Sequence, residues 1–292
     1  MLPNLLPTDD FNKLVAARYG VLCANTNDTV VGLSVLQYGE YFESEVELFR
    51  QIVRPGMVVA DVGANIGTHT LALARQVGPS GWVYAFEPQR IAFQSLCANM
   101  ALNSIANADC EQAAVGQTNG SSYVLDLDPR VSNNFGGFGL GDDRLGRPVR
   151  MVALDSYLGG RPLNFMKIDI EGMEEDCLRG AEATLKRYKT MLYFENDRPE
   201  KSRSVLEYLK SLDYRLWWHI PPFFNPANHA GNPEVLHVAG LVETGEEFLR
   251  INGFAINVLA VPRALDWTVD GLMEVEDVAE HPLQRGASKF HP

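Results

Sequence analysis

Residues 57–67 read Met57-Val58-Val59-Ala60-Asp61-Val62-Gly63-Ala64-Asn65-Ile66-Gly67. An apolar strand, Met57–Ala60, ends in a carboxylate at Asp61. A tight turn from Gly63 to Gly67 then leads into a helical stretch, Thr68–Val77. A buried parallel strand reads as a continuous apolar run, so an acid at its end is not there for packing. Glycines let the backbone turn sharply and approach a ligand closely. The start of the helix offers unpaired N–H groups. Together these features predict a pocket for a small polar ligand at the carboxyl edge of a sheet.

The spacing narrows the ligand. A dinucleotide site wants Gly-x-Gly-x-x-Gly, so that a pyrophosphate can rest on the helix N-terminus. Here the pattern is Asp61-x-Gly63-x-x-x-Gly67, with Asn65 where a phosphate would need room. A strand-end acid repels a pyrophosphate and suits an ammonium group. Gly81–Phe86 reads as a second apolar strand ending in Glu87-Pro88. A carboxylate there is placed to accept hydrogen bonds from two ribose hydroxyls. Strand, acid, glycine turn, helix, strand, acid is the order of an S-adenosylmethionine site. The bland alternative is an αβ unit with accidental acids.

Composition sets the outer bounds. The 292 residues suffice for one large α/β domain with additions or for two modest ones. Hydrophobic residues make up 46% and charged residues 21%, as in an ordinary globular chain. No apolar run approaches a membrane span, and Met1-Leu2-Pro3-Asn4 does not open a secretory signal. The net charge of −12 argues against a nucleic-acid backbone or an anionic membrane as partner. Cys23, Cys97, Cys110 and Cys177 are scattered, with no Cys-x-x-Cys pair, and read as reduced thiols of a cytoplasmic protein.

Along the chain, Phe11–Ala17 reads as a short helix, and Val21–Ala24 and Thr29–Leu36 as strands around the turn Asn25–Asp28. Glu43–Val53 has helical spacing and stops at Arg54-Pro55-Gly56. This N-terminal section, 1–56, is expected to pack over the mouth of the pocket. Strands and helices then alternate through 57–262. Arg90–Leu102 is a helix, Ala108–Val115 a strand and Leu163–Asp169 another. Glu174–Ala181 is a helix, Met191–Glu195 a strand, Pro199–Leu212 a helix, and Tyr214–His219 and Phe254–Val261 are strands. Two excursions, 117–150 and 221–250, leave from carboxyl ends of strands and are expected to cover the crevice. The first centres on Asn133–Gly139 and predicts two extra strands joined by a mobile loop. Residues 263–292 read as a peripheral tail. The whole predicts an α/β fold with a doubly wound sheet.

Three further runs carry chemistry. In Asn164–Gly172, Lys167, Asp169 and Glu171 alternate, so they point to one side of an extended chain. A buried strand does not carry three charges at its end without cause, although a Lys–Asp pair capping the sheet is the structural alternative. Met191–Asp197 repeats the theme with Glu195. Trp217–Pro226 is aromatic and holds one imidazole, His219, which is either a catalytic base or a packed side chain. His69, in the first helical turn, reads as structural. Asp169, Glu195 and Asn196 offer hard oxygen ligands that would suit Mg²⁺.

Four motifs, Asp61–Thr70, Phe86-Glu87-Pro88, Lys167–Gly172 and Tyr193–Asp197, resemble those of the FkbM-type methyltransferases, in the family's order and across roughly 38–262. The resemblance implies the Rossmann-like, doubly wound seven-stranded sheet of class I S-adenosylmethionine-dependent enzymes. It also implies O-methylation of a hydroxyl on a small molecule or sugar. It puts Asp61, Gly63, Ala64, Asn65 and Gly67 around the methionine part of the cofactor. Glu87 and Pro88 fall at the ribose, Ala113 and Ala114 by the adenine, and the segment Tyr38–Glu45 over the whole. Asp169 falls where donor meets acceptor. A base must take the hydroxyl proton during attack. Asp169 is the first candidate, followed by Glu171, Glu195 and His219, with Lys167 orienting an acid. Two other readings stay open: a nicotinamide-dependent oxidoreductase, and a non-catalytic S-adenosylmethionine binder.

Overall fold

The computed structural model describes residues 10–137, 139, 146–244 and 247–284, and for 238–252 only the backbone. The chain opens with β1 (Asn12–Ala17), β2 (Gly20–Asn25), α1 (Val31–Tyr38) and α2 (Glu43–Ile52). The core follows as β3 (Val58–Val62), α3 (Thr68–Val77), β4 (Trp82–Phe86), α4 (Arg90–Leu102) and β5 (Ala108–Glu111). An insertion supplies β6 (Ala114–Val115), β7 (Gly120–Val124), β8 (Arg147–Val152) and α5 (Leu154–Leu158). Then come β9 (Phe165–Ile168), α6 (Glu174–Arg179), α7 (Glu182–Tyr188), β10 (Met191–Glu195), α8 (Pro199–Ser211) and β11 (Tyr214–His219). The last strands are β12 (Val238–Thr244), β13 (Glu247–Asn252), β14 (Asn257–Pro262) and β15 (Met273–Glu274).

Eight strands form the central sheet in the order β15-β11-β14-β10-β9-β3-β4-β5. The chain runs outward from β3 to β5, then returns to β9 on the other side, so the switch point lies between β3 and β9. Ligand crevices of open α/β sheets form at such a point. The strands from β5 to β10 are parallel, and β14 runs antiparallel between β10 and β11. Side chains alternate between two cores. Ala60, Val62, Met166, Ile168, Leu192 and Phe194 enter one, and Val59, Phe165 and Tyr193 enter the other, with Phe49 of α2 and Leu73 of α3. That parity decides where the charges go. Asp61 and Lys167 share the face of α2 and α3, and the register pairs Lys167 with Asp61 on one side and Tyr193 on the other.

Four expectations need correction. Phe11–Ala17 is not helical: its residues 12–17 pair with β2 in a hairpin. Thr29–Leu36 is not a strand, because Asp28 receives the first amides of α1. The sheet has an eighth strand beyond the seven expected, and it comes from the tail. β15 pairs with Trp217 and Trp218 on the open edge of β11, while His281 is buried and its Nε2 lies 2.7 Å from the Asn196 carbonyl. That segment is therefore packed rather than peripheral, and it covers an edge that would otherwise offer unpaired backbone groups. The first excursion does supply β7 and β8, but residues 129–136 between them are tied down by hydrogen bonds. Phe138 and 140–145 lie outside the described residues.

Candidate active site

A cavity of about 310 Å³ opens at the carboxyl ends of β3, β4, β9 and β10. Its floor is an ion array. Asp61 is fully buried and accepts a 2.6 Å hydrogen bond from Thr70 Oγ1. Its other oxygen lies 3.5 Å from Lys167 Nζ, an ion pair without a good hydrogen bond. Lys167 Nζ also donates to the Gly63 carbonyl at 3.2 Å and to Asp169 Oδ2 at 3.3 Å. Burial opposes the Lys167 charge, but Asp169, Asp61 and Glu45 outweigh it and hold the ammonium above its ordinary range. Asp61 is thus beneath the cavity rather than on its wall and acts through Lys167.

The glycine turn is shaped by contact. Gly63 has φ +81°, and a Cβ there would come within 1.8 Å of the Asp169 carbonyl, so the two strand ends touch backbone to backbone. Gly67 lies off the wall, where it begins α3 and packs on Leu96. Phe42, Asn65 and Glu171 all hold positive φ and all line the cavity. Such backbone strain gathers at working sites. Glu87 accepts the Asn65 amide at 2.8 Å and the Gln89 amide at 2.7 Å. Burial pushes the Glu87 carboxyl up to about 7, against the pull of those two amides. Pro88, Ala113 and Ala114 continue this wall.

The opposite wall is acidic and aromatic. Glu195 Oε2 is buried with no hydrogen-bond partner. Desolvation, then Asp169, Asp197 and Glu171, push the Glu195 carboxyl well above its usual range. Glu171 pairs with Arg198. Glu45 accepts Asn257 Nδ2 at 2.8 Å, and its second oxygen is 3.4 Å from His69 Nε2. Burial raises Glu45 to about 8. Burial, then Lys167, keep His69 well below its ordinary range, so that contact is not an ion pair.

Of the residues singled out from sequence, the cavity wall gathers Glu45, Gly63, Ala64, Asn65, Glu87, Pro88, Ala113, Ala114, Lys167, Asp169, Glu171 and Glu195. Tyr38 faces elsewhere: its hydroxyl donates to the Glu234 carbonyl at 2.8 Å and accepts the Leu236 amide at 2.9 Å. His219 is also off the wall. Its Nδ1 is 2.8 Å from the Tyr193 hydroxyl, and burial lowers it to about 4. Asn196 turns away and donates to Ser202 Oγ at 2.9 Å. Among the described residues no group of three or more His, Cys, Asp or Glu side chains could hold a metal ion. Among the other wall residues, Tyr41 and Phe42 lie in the segment Tyr38–Glu45 expected over the cofactor, Phe223 in the aromatic run Trp217–Pro226, and Phe135 in the stretch Asn133–Gly139. His69, which reads as structural, lines the cavity too, whereas Phe254 and Asn257 carry no mark in the sequence. No sequence pattern announces the positive φ of Phe42.

The sequence model of the methyltransferase FkbM domain matches residues 61–216, more than half of the chain. The chain belongs to the FkbM methyltransferase family. Two curated relatives are "Methyltransferase 1" of Beauveria bassiana, 27% identical over 146 residues, and "Methyltransferase sdnD" of Sordaria araneosa, 26% identical over 156 residues. Each match covers 42% of this chain, and the chain spans only 57% and 60% of the relatives' lengths. Among solved structures, methyltransferase FkbM from Methylobacillus flagellatus has a TM-score of 0.40 at 16% identity, covering 74% of this chain and 50% of its own. An S-adenosylmethionine-dependent O-methyltransferase from Thermotoga maritima has a TM-score of 0.44 at 12% identity, covering 87% and 86%.

The site fits the cofactor of this family on its own evidence. Asn65 Oδ1 and Gln89 Nε2 are buried in the wall without partners, and such groups call for a polar ligand. A Cβ at Gly136 would come within 2.7 Å of Asn65 Nδ2, so the glycine keeps that space open. Six carboxyl groups and one ammonium line the cavity; a cation there would draw the raised carboxyls into their ionised form, whereas a pyrophosphate would meet only acids beside a single ammonium. Among the described residues no helix is long and apolar enough to cross a membrane.

Proposed function

We propose that the chain methylates a hydroxyl oxygen of a small-molecule or sugar acceptor, with S-adenosylmethionine as donor. One observation carries the reading: the buried, unpartnered Oε2 of Glu195, on a wall shared with Asp169 and with Tyr41, Phe42 and Phe223. When bound, the cofactor supplies an electrophilic methyl group on a sulfonium. Asn65 and the Gly63 turn would hold its amino-acid end, and Glu87 its ribose. Glu195 Oε2 would take the proton of the acceptor hydroxyl, and the cofactor, having given up its methyl group, would leave as the neutral thioether.

Glu195 suits that role better than Asp169, whose carboxylate is already held by Lys167. Its raised proton affinity makes it the stronger base, and a cation beside it favours the ionised form needed to accept a proton. The aromatic side chains offer apolar faces to an organic acceptor and exclude water. The chain's acidity supports a small molecule over a nucleic acid. Metal assistance finds no support in Asn196, and the carboxylate-rich lining speaks against a nicotinamide dinucleotide.

Isothermal titration with S-adenosylmethionine, S-adenosylhomocysteine and NADH tests the donor. Micromolar binding of the first two and none of the third is expected. NADH binding with silence for the others would overturn the reading. Hydroxyl acceptance is then tested by methyl transfer to simple glycosides and phenols.

A further inference from the structure

The loop 133–136 forms part of the cavity wall, yet it belongs to an insertion rather than to the central sheet. What fixes it is the start of α1. Asp28 is buried, its carboxylate accepts the Val30 amide at 3.0 Å, and the amides of Val31, Gly32 and Phe135 also face it. Three of these four donors open α1, whereas the fourth lies more than a hundred residues away in the loop. The backbone repeats the tie. The Thr29 amide donates to the Asn133 carbonyl at 3.0 Å, and the Asn133 amide to the Asn27 carbonyl at 2.9 Å. Asn25 and Asn27 each donate to the Pro129 carbonyl at 3.0 Å. Gly32 lets the pieces close up, since a Cβ there would come within 2.6 Å of Asp28 Cβ and 2.3 Å of the Asn25 carbonyl. Val30 and Val31 on one side of this junction, and Phe135 and Gly136 on the other, all line the cavity.

We propose that Asp28 is a positioning residue for the cofactor. It joins the start of α1 to the loop 133–136 and so sets where Phe135 and Gly136 stand against Asn65. It touches no ligand itself. The proposal rests on the S-adenosylmethionine reading of this cavity. A carboxylate that gathers four amides is costly to replace, because each donor it abandons is left buried. An alanine would release Phe135 and let the wall retreat from Asn65, while an asparagine keeps an acceptor oxygen in place.

The test compares S-adenosylhomocysteine binding to the wild type, Asp28→Ala and Asp28→Asn by titration calorimetry, with urea unfolding of each protein alongside. The expected result is a Kd raised about tenfold or more in Asp28→Ala and a substantial recovery in Asp28→Asn. A purely structural role would lower the unfolding midpoint and leave the Kd of the folded protein unchanged, which would overturn the proposal. Absence of binding by the wild type would instead remove the cofactor reading. Should Asp28→Ala fail to fold, amide exchange of the ligand-free wild type decides. Protection of the Phe135 amide supports the tie, and exchange at an unprotected rate overturns it.

Discussion

The cavity has two halves of different origin. One is built from turns that follow β3 and β4: Gly63, Asn65 and Glu87 sit within 25 residues, and their partners are mostly backbone amides. The other gathers Phe42 and Glu45, Glu195, Phe223, Phe254 and Asn257 from four distant stretches, and its contacts run side chain to side chain. Backbone geometry ties the first half to the fold itself, so nearly any change there disturbs the sheet. The second half leaves its side chains replaceable, which is where an acceptor preference can be altered at modest structural cost.

The largest effect is expected beneath both halves. Lys167→Ala leaves Asp61 buried with no counter-charge, and breaking such a pair costs about 3–5 kcal/mol. Urea unfolding measures this, and a loss below about 1 kcal/mol would mean that the ion array does not support the floor. Next comes Glu195→Gln, which tests the independence of the side-chain half. We expect kcat to fall by roughly 10²–10⁴ with the affinity for S-adenosylhomocysteine, which carries no sulfonium charge, unchanged, read from methyl-transfer rates and calorimetry. Equal losses in both would merge the two halves into one unit.

A pH series sharpens the contrast. Glu87 in one half and Glu45 in the other rise to about 7 and about 8. Folded-state values above the unfolded one mean that the native protein holds extra protons between them. Stability is therefore fully present below the unfolded value near 4.5 and declines as pH rises through about 7 to 8. Binding of a cation runs the other way and strengthens over that window. S-adenosylmethionine should gain more affinity than S-adenosylhomocysteine, which lacks the sulfonium charge. A parallel pH response of the two ligands would break this assignment. The smallest effect belongs to His219→Ala. It removes a partner from the Tyr193 hydroxyl, so about 1 kcal/mol of stability is lost, and kcat stays within about threefold. A collapse of turnover would return His219 to the site.

The difference in origin also explains what could be read without coordinates. Asp61, Glu87, Lys167 and Glu195 stand out because a charge at the end of an apolar strand is anomalous wherever it occurs. The doubly wound order follows from the alternation around them. Phe254 gives no such signal, and Phe223 stands out only as part of the aromatic run Trp217–Pro226, since an aromatic residue in a loop reads the same whether it faces a core or a cavity. His219 misled because its only distinguishing feature was its neighbours, and Tyr193 arrives from another strand. The run Thr29–Leu36 is rich in β-branched residues and reads as a strand. It coils because Asp28 supplies acceptors to its first amides, and a local cap can overrule propensity.

The tail has a practical consequence. Met273 and Glu274 pair with the sheet edge, and His281 reaches the carbonyl of the residue that follows Glu195. Trimming an expression product after Pro262 would therefore do more than shorten it. The newly open edge of β11 would recruit neighbouring molecules, and the trimmed material would tend to precipitate even if every cavity residue were intact.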